Sequence, residues 1–179
     1  MGTLPTGTVT FLFTDIEGST QLWERHPEAM KTALARHDSI LKEAIEFNQG
    51  HIIKTTGDGV HAVFSTAIDA INTAIVSQSN LQSQITNLQL RVRMGLHTGE
   101  AELRAGDYYG QTLNRVARIM EVAYGGQILL SAITLRWCAT TCQPAQTCSI
   151  WANTVLKTLP VLRISCNSTR LVCQPIFSL

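Results

Sequence analysis

Val9–Thr20 reads VTFLFTDIEGST, and the rest of the chain is organised around it. Val9 to Phe13 is a short apolar run of strand formers that stops at Thr14-Asp15. Gly18-Ser19-Thr20 then offers a turn and helix N-cap candidates. An acid at the end of a buried strand is costly unless something compensates it. A plain helix cap would account for Asp15, but a second stretch points elsewhere. His51–Phe64 reads HIIKTTGDGVHAVF and places Asp58 in a Gly-Asp-Gly turn between two apolar runs. A hairpin whose turn acid lies beside the end of another strand brings two carboxylates to one point. Such a pair suits hard, oxygen-loving Mg²⁺.

The 179 residues are enough for one domain with a real core. A net charge of +1 gives no nucleic-acid footprint. No stretch approaches the roughly 20 apolar residues of a membrane span. The opening MGTLPTGTVT lacks the charged and apolar regions of a signal peptide, so a cytoplasmic location is expected. The averages hide a break. All 13 acidic residues lie within positions 1–121, and all five cysteines (Cys138, Cys142, Cys148, Cys166, Cys173) fall in the last 42 positions.

Along the chain, residues 1–7 read as an entry segment and 8–132 as the domain. A helical region runs from Ser19 or Thr20 to about Phe47, interrupted by Pro27, with Met30, Leu34, Leu41 and Ile45 at helical spacing. His51–Lys54 and Val60–Phe64 form the hairpin arms. Thr66 and Asp69 form a capping box for a helix through Ile68, Ile71 and Ile75, followed by a polar tail and loop over Ser77–Asn87. Leu90–Leu96 alternates as a half-buried strand, with Arg91 and Arg93 on the polar face. His97–Arg104 continues extended, Ala105–Gly110 turns, and Gln111–Ala123 is a helix stopped by Gly125-Gly126. Gln127–Ser131 is a further strand. The order predicts an α+β sandwich, one antiparallel-rich sheet with helices packed on a face.

Four motifs, FTDIEGST, KTTGDGVHAVF, MGLHTGE and DYYGQTLNRVAR, occur in this order between about Thr8 and Ser131. Together they resemble the catalytic domain of class III nucleotidyl cyclases, the adenylate/guanylate cyclase family. The resemblance implies a ferredoxin-like βααββαβ-type sandwich. It also implies that Asp15, Asp58 and the backbone carbonyl of Ile16 hold two Mg²⁺ (or Mn²⁺). The reaction implied is attack of a ribose 3′-hydroxyl on the α-phosphate of a nucleoside triphosphate, expelling pyrophosphate. Asn114 and Arg118 match the family's Asn-x-x-x-Arg pair, which shares one helix face; Asn114 would hold the ribose and Arg118 the transition-state charge. Lys54 and Asp107 match the base-selecting positions. Adenine offers an acceptor at N1 and a donor at its amine, which a lysine and an aspartate satisfy; guanine reverses the pattern, so ATP is favoured over GTP. Read as plain surface chemistry, Lys54 is a snorkelling strand residue and Arg115 a solvated helix residue. His51, His61 and His97 lack metal-ligand spacing and read as packing or surface residues.

In the family the metal aspartates come from one catalytic domain, and the base-selecting pair with Asn and Arg from another. This chain carries both sets, which implies a head-to-tail homodimer with no nucleic-acid or membrane partner. The reading is an adenylate cyclase making cyclic AMP. The alternative is a catalytically weak or silent cyclase-homology module for dimerisation or regulation, a fragment of a longer signalling protein. A diguanylate cyclase would want a Gly-Gly-Asp-Glu-Phe-like hairpin, which Thr-Gly-Asp-Gly followed by Val60 is not.

Positions 133–179 form an atypical Cys-rich tail. Cys138-x-x-x-Cys142 lacks the usual zinc spacing, and a cytosolic enzyme has no need of disulfides. A frame change near Leu135 explains it better. Back-translated one base over, Trp137–Pro144 becomes LVRDNLP, and Cys148–Thr158 becomes LLDLGEHRLKD, which resembles the closing strands of the cyclase family. Tryptophan has one codon, which constrains both segments. The expectation is that the C-terminal strands and one phosphate-binding lysine are missing or altered, with a sheet edge exposed, poor folding and weak or no activity.

Overall fold

The computed structural model describes residues 3–141 and strand segments 147–148, 150–156, 159–164 and 171–172, with side chains through residue 138. Its elements are β1 (Gly7–Ile16), α1 (Ser19–Arg25), α2 (Pro27–Phe47), β2 (His51–Thr56), β3 (Gly59–Phe64), α3 (Ala67–Gln84), β4 (Val92–Arg104), β5 (Asp107–Tyr109), α4 (Gln111–Glu121), β6 (Ile128–Ser131), α5 (Ala132–Thr141), β7 (Thr147–Cys148), β8 (Ile150–Leu156), β9 (Leu159–Ile164) and β10 (Leu171–Val172). Local chemistry sets the boundaries. Pro27 opens α2 at a position where a missing N–H costs nothing. Thr66 caps α3 by accepting from the Asp69 amide at 3.2 Å.

The main sheet runs β2-β3-β1-β4-β6-β9-β8, with β5 paired to β4. β1 lies between β3 and β4 and is antiparallel to both. β4 and β6 are parallel, joined by a crossover through α4. This is the α+β, antiparallel-rich sandwich read from the sequence.

Helices cover both faces rather than one. Leu12, Ile16, Phe64, Met94 and Leu96 form a core with residues of α2 and α3. Phe11, Phe13, Val63 and Tyr108 form a second cluster with Val116 of α4. A Cβ on Gly95 would come within 2.7 Å of the Met120 amide nitrogen, so only glycine lets α4 settle on β4. β4 is therefore buried on both sides from Val92 to Thr98, except for the half-buried Arg93. That corrects the half-buried strand. The helix after Thr66 also runs on to Gln84, because Ser77, Gln78 and Leu81 turn inward. Within the expected turn, Asp107–Tyr109 pairs back on β4, anchored by buried Tyr108, whose hydroxyl donates to the Pro5 carbonyl at 2.6 Å.

The closing strands are not missing. β9 pairs antiparallel with β6 from Ile128↔Ile164 to Ser131↔Val161, and β8 pairs with β9, so β6 is not an edge. The segments contain Ile150, Thr154, Val155, Val161 and Ile164, β-branched residues that suit a ladder whatever reading frame produced them. Cys142, Cys166 and Cys173 lie outside the described residues. Among the described residues, no helix is long and apolar enough to cross a membrane.

Candidate active site

The two expected metal aspartates are positioned by one side chain and one glycine. Thr14, one residue before Asp15, accepts a hydrogen bond from the Val60 amide through its hydroxyl at 3.1 Å. This pins the end of β1 to the start of β3. A Cβ on Gly59 would sit 2.7 Å from the Thr14 carbonyl oxygen, so the Asp58 turn closes onto β1 only because residue 59 is glycine. The Oδ2 of Asp58 is buried there without a hydrogen-bond partner. A buried acceptor left unmatched costs about 1–3 kcal/mol, more when charged.

Asp15 is matched, by a partner that lies far from it in the sequence. The β1–β4 register sets Asp15 opposite Arg93. Arg93 places Nε at 2.8 Å and Nη2 at 2.6 Å from Asp15 Oδ2. Its Nη1 donates to the Glu121 carbonyl at the end of α4, at 3.3 Å. The alternation of Leu90–Leu96 put Arg93 on the polar face; only the antiparallel register shows that this face meets Asp15. Beside it, Glu17 accepts from the Gly125 amide at 3.1 Å and faces Arg91 at 3.9 Å, tying the loop after β1 to the loop before β6.

The expected base-selecting residues meet around His61. Lys54 on β2 pairs across the hairpin with His61 on β3. His61 stacks on Phe13 with 3.6 Å between ring centroids and 4° between planes. Its pKa is lowered to about 4, by burial first and then by Lys54, with Asp107 opposing. Asp107, at the start of β5, accepts from the Tyr108 amide at 2.8 Å. Nearby, His97 is buried, hydrogen-bonds Ser131 at 2.8 Å, and is also lowered to about 4, by burial and then Arg115.

Asn114 and Arg118 lie elsewhere on the chain. α4 buries Thr112, Val116 and Ile119, which leaves Asn114, Arg115 and Arg118 exposed on the opposite face. The chain therefore pairs Arg93 with Asp15 and closes the Asp58 turn onto Thr14, and Lys54 and Asp107 both act on His61, while the Asn–Arg pair faces outward.

A family model described as the adenylate and guanylate cyclase catalytic domain matches residues 2–155. The chain belongs to the adenylate and guanylate cyclase family. An uncharacterized protein of Mycobacterium tuberculosis is 46% identical over 133 residues, covering 73% of this chain and 45% of that protein. An adenylate cyclase of Neurospora crassa is 36% identical over 155 residues, covering 72% of this chain and 7% of that enzyme. The cyclase domain thus spans less than half the length of these curated relatives. A solved adenylate cyclase of Trypanosoma brucei in its monomeric state superposes with a TM-score of 0.76 at 25% identity, covering 94% of each chain. The adenylyl cyclase CyaB of P. aeruginosa shares the fold, with a TM-score of 0.74 at 22% identity over 92% of this chain and 97% of that one.

A divalent cation fits the residues of this cyclase domain. Two carboxylates and a backbone carbonyl form the all-oxygen donor set that Mg²⁺ or Mn²⁺ prefers. The buried Asp58 oxygen is an acceptor that lacks a partner. Among the described residues, no group of three or more His, Cys, Asp or Glu could hold a metal.

Proposed function

We propose that the chain is an adenylate cyclase that works as a head-to-tail homodimer, converting ATP to 3′,5′-cyclic AMP and pyrophosphate. The observation that carries this reading is the buried, partnerless Asp58 oxygen held against the end of the strand that bears Asp15.

In this reading Asp15, Asp58 and the Ile16 carbonyl hold two Mg²⁺ (or Mn²⁺), which when bound supply acidification of the ribose 3′-hydroxyl and charge neutralisation on the triphosphate. Lys54 donates to adenine N1, and Asp107 accepts from the exocyclic amine. Guanine would face a donor with a donor and an acceptor with an acceptor, a mismatch that buried polar groups reject strongly. Asn114 holds the ribose so that its 3′-oxygen lines up with the α-phosphorus. The new bond joins that oxygen to the α-phosphorus as the hydroxyl proton passes to solvent, and the bond from the α-phosphorus to the bridging oxygen breaks, releasing pyrophosphate. Arg118 offsets the charge that builds on the phosphoryl oxygens. Arg93 keeps Asp15 neutralised and oriented. The exposure of Asn114 and Arg118 on the outward face of α4 supports the homodimer, in which they would serve the site of a second copy.

Residues 8–132 are the proposed catalytic unit and 1–7 its entry segment. The test is direct. Purified protein is incubated with ATP or GTP and Mg²⁺ or Mn²⁺, and cyclic product is measured. Cyclic AMP from ATP is expected; cyclic GMP alone, or no cyclic product under any combination, overturns the reading.

A further inference from the structure

Lys54, His61, Phe13 and Gly95 form one row across β2, β3, β1 and β4, each paired with the next. α4 covers the Gly95 end of that row, and Lys54 is exposed at the other. His61 lies flat on Phe13. For a residue that only packs, histidine is a poor choice here. Its Nδ1 is buried with no hydrogen-bond partner, a cost that phenylalanine or leucine at the same place would not carry.

The ring also sits in a charged setting. Lys54 is its cross-strand partner, and the charges of Lys54 and Asp107 act on it in opposite senses. It is neutral at physiological pH, and a neutral imidazole carries one N–H and one lone pair. An orphaned buried N–H is rarer and costlier than an orphaned lone pair. The tautomer assigned on that ground leaves Nδ1 bare and puts the proton on Nε2. Nε2 is not buried and makes no hydrogen bond among the described residues. A donor is thus presented beside Lys54, one of the two residues proposed to read the base.

We propose that His61 is a third purine-contacting residue, donating from Nε2 to a ring nitrogen of adenine beside the contacts of Lys54 and Asp107. The proposal rests on the adenylate cyclase reading. Adenine has ring acceptors at N1, N3 and N7, so a further donor finds a partner that the base-selecting pair leaves unused. Phe13 holds the imidazole plane, which makes the donor preorganised.

The experiment uses the full chain with His61→Phe, which keeps the stack and removes the donor, and His61→Gln, which keeps a donor near Nε2 and loses the stack. Calorimetry measures binding of 3′-deoxy-ATP, which cannot cyclise, of its 1-deaza, 3-deaza and 7-deaza forms, and of inorganic tripolyphosphate. The expected result is that His61→Phe weakens 3′-deoxy-ATP by about three- to tenfold. It leaves tripolyphosphate unchanged and no longer distinguishes the nucleotide from one deaza form. His61→Gln binds more tightly than His61→Phe. A purely structural role reverses that order or weakens tripolyphosphate equally, and either result overturns the proposal, as does unaltered nucleotide binding by His61→Phe. A wild-type preference for 3′-deoxy-GTP instead overturns the adenylate reading itself, and the adenine contact with it.

Discussion

Replacing Arg93 with methionine removes the guanidinium and keeps much of its apolar stem. In the wild-type chain two Arg93 donors converge on Asp15 Oδ2, at 2.8 and 2.6 Å. Hydrogen bonds to charged groups contribute about 1.5–3 kcal/mol each. Both side chains are about a quarter exposed, 28% for Arg93 and 26% for Asp15, so solvent screening cuts the pair to roughly 1–2 kcal/mol. In a domain of this size that is about 2–8 °C of melting temperature. Without Arg93, Asp15 also repels Asp58, whose buried oxygen already lacks a partner. Methionine therefore lowers the melting temperature by that amount in chelator. Millimolar Mg²⁺, by neutralising both acids, recovers most of the loss and stabilises the variant more than the wild type. Asp58→Ala abolishes most of the metal-induced gain in either background. Thermal melts of the four proteins, with chelator and with Mg²⁺, measure this. An Arg93→Met deficit of the same size in both conditions, or a wild-type melt indifferent to millimolar metal, refutes the shared site.

Three further outcomes are expected. His97 is fully buried with a folded pKa of about 4 against 6.5 when free, so the unfolded chain takes up the proton first as pH falls. Its contribution is present above pH 6.5 and is lost towards pH 4, by about 2 kcal/mol at pH 5; urea unfolding of wild type and His97→Gln at pH 7 and 5 should show a shallower pH dependence in the variant. Lys54→Glu with Asp107→Lys exchanges acceptor and donor, so cyclase activity on ATP should fall at least about 100-fold while activity on GTP rises, with no change in either ratio as the contradictory result. The tail from residue 133 is proposed to arise from a single-base frame change, and the gene around codons 132–160 should encode LVRDNLP and LLDLGEHRLKD in the neighbouring frame; a stop codon in that window would show the tail to be genuine.

The parts of this fold that could be read from the chain are those in which neighbouring residues carry the information. The apolar run that ends at Asp15, the two-arm hairpin around Asp58 and the Thr66 cap are all local, and the structure has them where the residues place them. What escaped depends on residues far apart in sequence. Arg93 looked like a solvent-facing strand residue because its partner, Asp15, lies 78 positions away and meets it only through the β1–β4 register. Likewise, β4 read as half-buried because nothing in its alternation reveals that α4 closes over Gly95. His61 reads as a packing or surface residue, and it does pack, but its neighbours Phe13 and Lys54 lie on other strands and only the sheet register shows them. The closing strands read as missing or altered because the tail departs from the family's pattern, and they are present with that altered sequence. A ladder needs only backbone groups and tolerant side chains, and β8 and β9 have both.

The proposed composite site takes its metal-holding residues from one copy of the chain and its Asn–Arg pair from the other. The most direct measurement mixes two inactive variants, Asp15→Ala and Asn114→Ala, and assays cyclic AMP formation from ATP. Random pairing makes about half of the dimers mixed, and each mixed dimer has one site with every residue intact, so the mixture should recover about a quarter of wild-type activity. A mixture that stays as inactive as either variant alone, while wild-type protein is active and the variants form mixed dimers, contradicts the composite site.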